Sequence, residues 1–218
     1  MDNLFNPDAL FWRLMSRFVD FVGLGLFWVA LCMPIVTIAP ASAALYYTVV
    51  KVFRQKEEGA FGVFWKAFKS NLRKGWKVTL ICLPFALVFA WGYSIMSFYR
   101  NTSSLGTVMF VAYWVALLVP AGLVCYLMPM MGRFEMGLKQ LFTTALALAL
   151  RHLPTTFVLV LLHMQLIVFT LEQWWPVLFT PVLTTLLASL FLERIFPKYL
   201  SEEENQVLKG ELPEEMHD

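Results

Sequence analysis

The sequence predicts an all-α fold: a polytopic membrane helix bundle of about six transmembrane helices, with five as the alternative count. The first observation is a set of uncharged apolar runs, which cover residues 21–50, 78–99, 101–132, 153–171 and 173–192. A helix needs about 20 apolar residues to cross a hydrocarbon core of about 30 Å; four of the runs reach that length, and the run 153–171 nearly does. The second observation is composition, because only 15% of the residues are charged, whereas soluble domains carry about 25%.

The third observation is the uneven distribution of charge. Residues 51–77 contain eight basic and two acidic residues, a net charge of +6, although the whole chain carries only +2. Residues 193–218 contain three basic and eight acidic residues, a net charge of −5. Because Lys and Arg collect in short loops on the cytoplasmic side of membrane proteins, residues 51–77 are predicted to face the cytoplasm. The positive charge is local, so it does not indicate a nucleic-acid partner.

The first apolar stretch is predicted to form a helical hairpin. Helix 1 is expected near 14–34 and helix 2 near 41–54, with a turn between Pro34 and Pro40, because proline interrupts the hydrogen-bond ladder of a helix. Helix 2 would have only 14 residues, about 21 Å, so it requires tilting or a locally thinner bilayer. The alternative is a single span with a broken, partly re-entrant end.

The basic segment contains a predicted amphipathic helix over residues 60–77. Its apolar face consists of residues at helical spacing: Phe61, Phe64, Trp65, Phe68, Leu72 and Trp76. The rest of its surface is basic: Lys66, Lys69, Arg73, Lys74 and Lys77. A basic helix with an aromatic face is typical of an interfacial helix that lies among lipid headgroups on the cytoplasmic side. The alternative is a cytoplasmic helix that packs under the bundle.

The remaining runs predict four spans: helix 3 near 76–98, helix 4 near 106–131, helix 5 near 153–171 and helix 6 near 176–195. Residues 133–151 form a second, weaker boundary segment between two spans. With six spans, both termini face the cytoplasm, and this arrangement satisfies the charge bias of the loops.

One domain is predicted over residues 1–200, followed by an acidic, disordered cytoplasmic tail over 201–218. We expect no enzymatic activity, because the sequence has no metalloprotease, nucleophile-elbow or phosphate-loop motif. No cofactor or metal is expected either. The three cysteines lie in separate apolar runs without Cys or His partners at ligand spacing.

Polar residues inside the apolar runs are the candidates for a functional site. His163 is an ionisable side chain within helix 5, and Gln165 follows two residues later. An ionisable group inside a span is a candidate proton relay or solute ligand, although a neutral histidine hydrogen-bonded to another helix or to a carbonyl is the simpler interpretation. Thr37 and Tyr46, near the Pro34–Pro40 break, complete the candidate intramembrane site. Two charged pairs, Arg133 with Glu135 and Glu193 with Arg194, are expected at the membrane interface.

Three segments resemble motifs of the YesL family of bacterial integral membrane proteins. Residues 34–47 (PIVTIAPASAALYY) are similar to its first-hairpin signature, and residues 64–71 (FWKAFKSN) to its aromatic–basic boundary motif. The third segment, 133–156, contains RFE, LKQL and RHLPTT. One departure is Ala39, where the family tends to have glycine.

The resemblance implies a domain of unknown function in a bacterial plasma membrane. The family's members are often encoded beside carbohydrate ABC-transporter and glycan-degradation genes, so transporter subunits are implied partners. The resemblance therefore implies a non-enzymatic accessory protein linked to carbohydrate transport, and the predicted interfacial helix adds contact with anionic lipid headgroups. The alternative is a stand-alone permease with a polar path near His163 and the Pro34–Pro40 break. A third and weaker hypothesis is an intramembrane enzyme that acts on lipid-linked substrates.

Overall fold

Seven α-helices make up most of the described chain in the computed structural model, which describes residues 7–55, 57, 59–100, 102–173 and 175–198. In chain order they are α1 (Pro7–Cys32), α2 (Ile38–Val49), α3 (Ala60–Arg100), α4 (Ser104–Arg133), α5 (Leu138–Arg151), α6 (Leu153–Glu172) and α7 (Thr180–Ile195). Since no strand occurs among the described residues, the all-α prediction is confirmed. The tail predicted over 201–218 lies outside the described residues.

Five segments of the described chain are long and apolar enough to cross a membrane. They are Met15–Cys32, Ile35–Arg54, Ala60–Arg100, Ser104–Arg133 and Leu153–Thr170. The sixth predicted span corresponds to α7, which has only 16 residues, a length of about 24 Å. Length and composition thus support five of the six predicted spans.

The predicted break between helices 1 and 2 is present. A short 3₁₀ turn, Ile35–Thr37, separates α1 from α2, and the Thr37 hydroxyl donates to the carbonyl oxygens of Leu31 and Pro34, both at 2.6 Å. The helix α2 begins at Ile38, three residues earlier than predicted. Pro40 lies in its first turn, where a missing backbone N–H removes no intrahelical bond.

The predicted boundary helix 60–77 is not a separate element. It continues into the predicted helix 3 as the single 41-residue helix α3, about 61 Å long. The change from basic to apolar residues near Lys77 alters the surroundings of the helix without interrupting its backbone. Gly75 allows α3 to approach α2 closely, because a Cβ built on Gly75 would lie 2.5 Å from Pro40 Cδ.

The centre of the fold is α2, which contacts α1, α3, α4 and α7. Its two faces belong to different apolar clusters. One face packs with the C-terminal part of α4, with α5 and with α7, through Ala39, Ala43 and Tyr46. The other packs with α1 and the first part of α3, through Ala41, Ala44, Leu45 and Val49. Small alanine side chains allow this close approach on both faces.

Beyond this centre, α3 and α4 form an antiparallel hairpin that we call the outer hairpin (residues 80–119). Its helices touch each other at Gly92, which lies against the Tyr113 ring. Most of its large apolar side chains are exposed, including Trp91 and Phe98 at 72% each, and the others are partly buried. Proline occurs within both helices near the base of the hairpin, at Pro84 and Pro120.

Candidate functional site

The most deeply buried cluster of charged side chains in the described structure connects three helices that are far apart in the sequence. The Tyr46 hydroxyl on α2 donates to Glu193 Oε1 on α7 at 3.0 Å. Arg133 Nη2, at the end of α4, donates to Glu193 Oε2 at 3.1 Å. The side chains of Arg133 and Glu193 are only 3% and 13% exposed. We call these three residues the Tyr–Glu–Arg cluster.

Close packing around Gly132 positions Arg133 in this cluster. A Cβ built on Gly132 would lie 2.5 Å from the Ala43 carbonyl oxygen, so glycine allows α4 to touch the α2 backbone at this point. Arg133 is the last residue of α4, and Phe134 continues in an extended conformation. A cation there is also stabilised by the partial negative charge of the helix C-terminus.

The end of α2 contributes a second group of charged contacts. Residues Val50–Arg54 form a π-helical turn, a local irregularity that occurs often at functional positions. Arg54 Nη1 donates to the Ser189 carbonyl oxygen of α7 at 2.7 Å. Lys51 pairs with Glu57 at 3.5 Å. The π-helical turn therefore adds a second polar link between α2 and α7.

Chemically, the Tyr–Glu–Arg cluster is a neutralised ion pair with a phenol attached to it. Both carboxylate oxygens of Glu193 have protein partners, so the carboxylate has a structural role between the helices. Burying two charges is costly unless they are paired and hydrogen-bonded. In the described part of the chain, no group of three His, Cys, Asp or Glu side chains could hold a metal ion.

The four residues of the candidate intramembrane site have different surroundings. Tyr46 belongs to the Tyr–Glu–Arg cluster, and Thr37 bonds to carbonyl groups in the turn between α1 and α2. His163 Nδ1 donates to the Leu159 carbonyl oxygen at 2.8 Å. Gln165 is exposed on α6. No hydrogen bond joins any two of the four among the described residues, and whether they act together stays a prediction.

His163 has one further neighbour, on α4. Its Nδ1 atom lies 3.6 Å from Cys125 Sγ, and the Cys125 side chain is buried in the apolar cluster that contains α5. A histidine bonded to a carbonyl one helical turn earlier and placed against a neighbouring helix matches the simpler interpretation of this residue.

The predicted boundary helix divides its aromatic residues between the interior and the surface. Phe64 and Phe68 are buried against α1 and α2, whereas Phe61 and Trp65 are about two-fifths exposed. This burial agrees with the alternative of a helix packed against the bundle. The basic side chains Lys66, Lys69 and Arg73 are exposed and Lys74 is partly buried. Lys69 Nζ lies 5.2 Å from the centre of the Trp65 ring, a cation–π distance.

Sequence reasoning placed Arg133 and Glu193 at the membrane interface, each with a neighbour in sequence, but missed their pairing across 60 residues. The available signal was the position of Glu193 directly after the apolar run 173–192, within α7. A carboxylate in such surroundings requires a partner from another helix.

Across the described residues these features define a class: an all-α protein with five helices long and apolar enough to cross a membrane and a buried ion pair that, with Tyr46, ties α2, α4 and α7 together. Residues 21–93 match the family described as "Protein of unknown function, DUF624". The match includes Tyr46 and the basic part of α3, and it ends before Arg133. No curated protein and no solved structure matches the chain.

Proposed function

We propose that this chain is a non-enzymatic accessory protein of the YesL type in the bacterial plasma membrane, where it assists a carbohydrate importer of the ABC class. The match over residues 21–93 supports the family, since DUF624 is the domain of YesL-type proteins. The importer is suggested by the gene neighbourhood that the family resemblance implies. Apolar helices with largely exposed faces would supply the surfaces for docking within the bilayer.

The observation that carries this proposal is the closed interior around α2. Its alanines Ala39, Ala41 and Ala43 have no exposed surface, and the buried Tyr46 hydroxyl is bonded to Glu193. A permease needs polar groups that face a solute path and are free to exchange partners. In this chain the polar groups of α2 hold neighbouring helices together, which favours an accessory role over a stand-alone permease.

The proposal places the outer hairpin in the bilayer and residues 60–77 of α3 at the cytoplasmic surface. At about 61 Å, α3 is twice as long as the hydrocarbon core is thick, and its basic residues precede Val78. Because α2 packs beside the first part of α3, with the Ala39 N–H donating to Thr79 Oγ1, the α1–α2 hairpin would enter from the cytoplasmic side and return to it. Both termini are then cytoplasmic.

Labelling of introduced cysteines tests this arrangement. Met33 is 82% exposed at the apex of the α1–α2 hairpin, and Thr102 lies in the loop of the outer hairpin. In intact cells, a membrane-impermeant maleimide should label Thr102→Cys and leave Met33→Cys unlabelled. Equal labelling of both positions would show that α1 and α2 cross the membrane separately.

Crosslinking in native membranes tests the accessory role. After growth on different polysaccharides, affinity purification of the crosslinked chain should recover subunits of a carbohydrate importer, and recovery should depend on the polysaccharide. The matched control is an unrelated polytopic protein expressed at the same level. If an intact, expressed chain recovers no importer and solute uptake falls in a His163→Ala variant, the permease replaces the accessory proposal.

Anionic lipid headgroups are the second proposed partner. The variant Lys66→Gln/Lys69→Gln/Arg73→Gln/Lys74→Gln removes four positive charges from α3, each expected to contribute about 1 kcal/mol near an anionic surface. Its retention of phosphatidylglycerol during purification should fall at least tenfold. A variant of the exposed Lys139 on α5, Lys139→Gln, serves as the control. Unchanged retention in the fourfold variant would remove lipid from the proposal.

A further inference from the structure

Four basic residues of α3 form one exposed face, which we call the basic face: Lys66, Lys69, Arg73 and Lys77. Their spacings of three, four and four residues keep them within about 80° of the helix circumference. None of the four forms an ion pair with a carboxylate among the described residues. The face therefore offers uncompensated positive charge to a partner that the described residues do not include.

The end of the chain has the complementary composition. Residues 199–218 contain seven acidic residues and one lysine, a net charge of −6. The acidic residues are Glu202, Glu203, Glu204, Glu211, Glu214, Glu215 and Asp218.

The residues that precede the acidic segment are fixed by an aromatic contact. The described chain ends at Lys198, two residues after Phe196, whose ring packs against that of Phe134 with centroids 5.5 Å apart. Phe134 directly follows the last residue of α4. The described chain therefore ends close to the C-terminal end of α4.

Along the axis of α3, the C-terminal end of α4 lies at the same level as the basic face. The two helices of the hairpin are antiparallel, and Gly92 of α3 faces Tyr113 of α4. Continuing this register places Arg133 opposite residue 72. The contacts of α2 agree independently, because Pro40 touches Gly75 of α3 and Ala43 touches Gly132 of α4.

We propose that the acidic segment 199–218 docks on the basic face of α3 and competes there with anionic lipid headgroups. The inference rests on the lipid contact in the proposed function. Twenty residues can span up to about 70 Å, several times the width of a helix, so the segment reaches the face without any movement of the bundle. Opposite charges held in one chain meet at a high effective concentration.

A photo-crosslinking side chain at Ser70 tests the contact in the full-length chain. Ser70 is exposed between Lys69 and Arg73. In nanodiscs of phosphatidylcholine, crosslinks to residues 199–218 are expected, and they should decrease at least fivefold at 0.5 M NaCl, since exposed charge pairs are screened by salt. The same side chain at Gln140, exposed on α5, is the control. If Ser70 and Gln140 capture the segment equally, the proposal is wrong.

The charge-neutral tail variant provides the second test, and it leaves the helices unchanged. It replaces the six glutamates of the segment by Gln and Asp218 by Asn. Crosslinks from Ser70 to the segment should disappear, and the amount of phosphatidylglycerol needed to crosslink lipid at Ser70 should fall about fivefold. If this variant needs the same amount of phosphatidylglycerol as the unmodified chain, the tail does not compete with lipid. If no variant crosslinks lipid at Ser70, the lipid contact itself is wrong.

Discussion

The helix α2 and the outer hairpin are both apolar in sequence, yet they have opposite surroundings. In an apolar 18-residue stretch of Ile35–Arg54, 61% of the residues are buried inside the protein, compared with 11% in the corresponding stretches of Ala60–Arg100 and Ser104–Arg133. The residues differ accordingly: four of the 12 residues of α2 are alanines, while the outer hairpin exposes large side chains such as Leu87 and Trp91. Hydropathy alone does not distinguish a helix that faces protein from one that faces lipid. Side-chain size does, because close helix packing requires small residues.

From this difference we expect substitutions around α2 to change the free energy of unfolding strongly and substitutions in the outer hairpin to change it little. The largest effect is expected for Arg133→Ala, which leaves the carboxylate of Glu193 buried without its cation. Removing one partner of a buried ion pair costs about 3–5 kcal/mol. Unfolding in mild detergent, followed by circular dichroism, measures the loss. The double variant Arg133→Ala/Glu193→Ala should recover part of it, and strictly additive losses would contradict the pairing.

A smaller loss is expected for Tyr46→Phe, which removes one hydrogen bond to the carboxylate and keeps the packing of the ring. Hydrogen bonds to charged groups contribute about 1.5–3 kcal/mol. Tyr93→Phe is the matched control, because Tyr93 is 46% exposed in the outer hairpin. Equal denaturation midpoints for the two variants would show that the hydrogen bond from Tyr46 to Glu193 does not stabilise the protein.

Overpacking is the third test. Gly132→Ala would force a Cβ against the Ala43 carbonyl oxygen, and such strain costs about 1–3 kcal/mol. Gly62 is a glycine of α3 with no atom within 4 Å of a built Cβ. Gly62→Ala should therefore stabilise the protein by up to about 1 kcal/mol through helix propensity. Effects of the same sign for both variants would refute the close contact between α2 and α4.

The smallest effect is expected in the outer hairpin. Leu87 is 62% exposed, so Leu87→Ala should change the unfolding free energy by less than about 0.5 kcal/mol. Leu45→Ala on α2, where the side chain is buried, should cost about 2–5 kcal/mol. Similar losses for the two variants would show that the outer hairpin packs against protein.

Much of the fold was predictable from periodicity and charge. The break between Pro34 and Pro40, the hairpin of α3 and α4 and the second boundary helix α5 are each marked by local residues. The fusion of residues 60–77 with the following span was not predictable, because the change of character near Lys77 contains no helix-breaking signal. The pairing of Arg133 with Glu193 was missed for a different reason: charge and burial imply that a partner exists, but only tertiary structure identifies it.

The prolines at the base of the outer hairpin have a mechanical consequence. Pro84 cannot donate a hydrogen bond to the Leu80 carbonyl oxygen, and Pro120 cannot donate to that of Ala116. In the register set by Gly92 and Tyr113, the two prolines lie at the same height. Both helices therefore lose backbone stiffness in one cross-section, and bending is concentrated there. The outer hairpin can tilt with the surrounding bilayer as one unit while the helices around α2 remain in place.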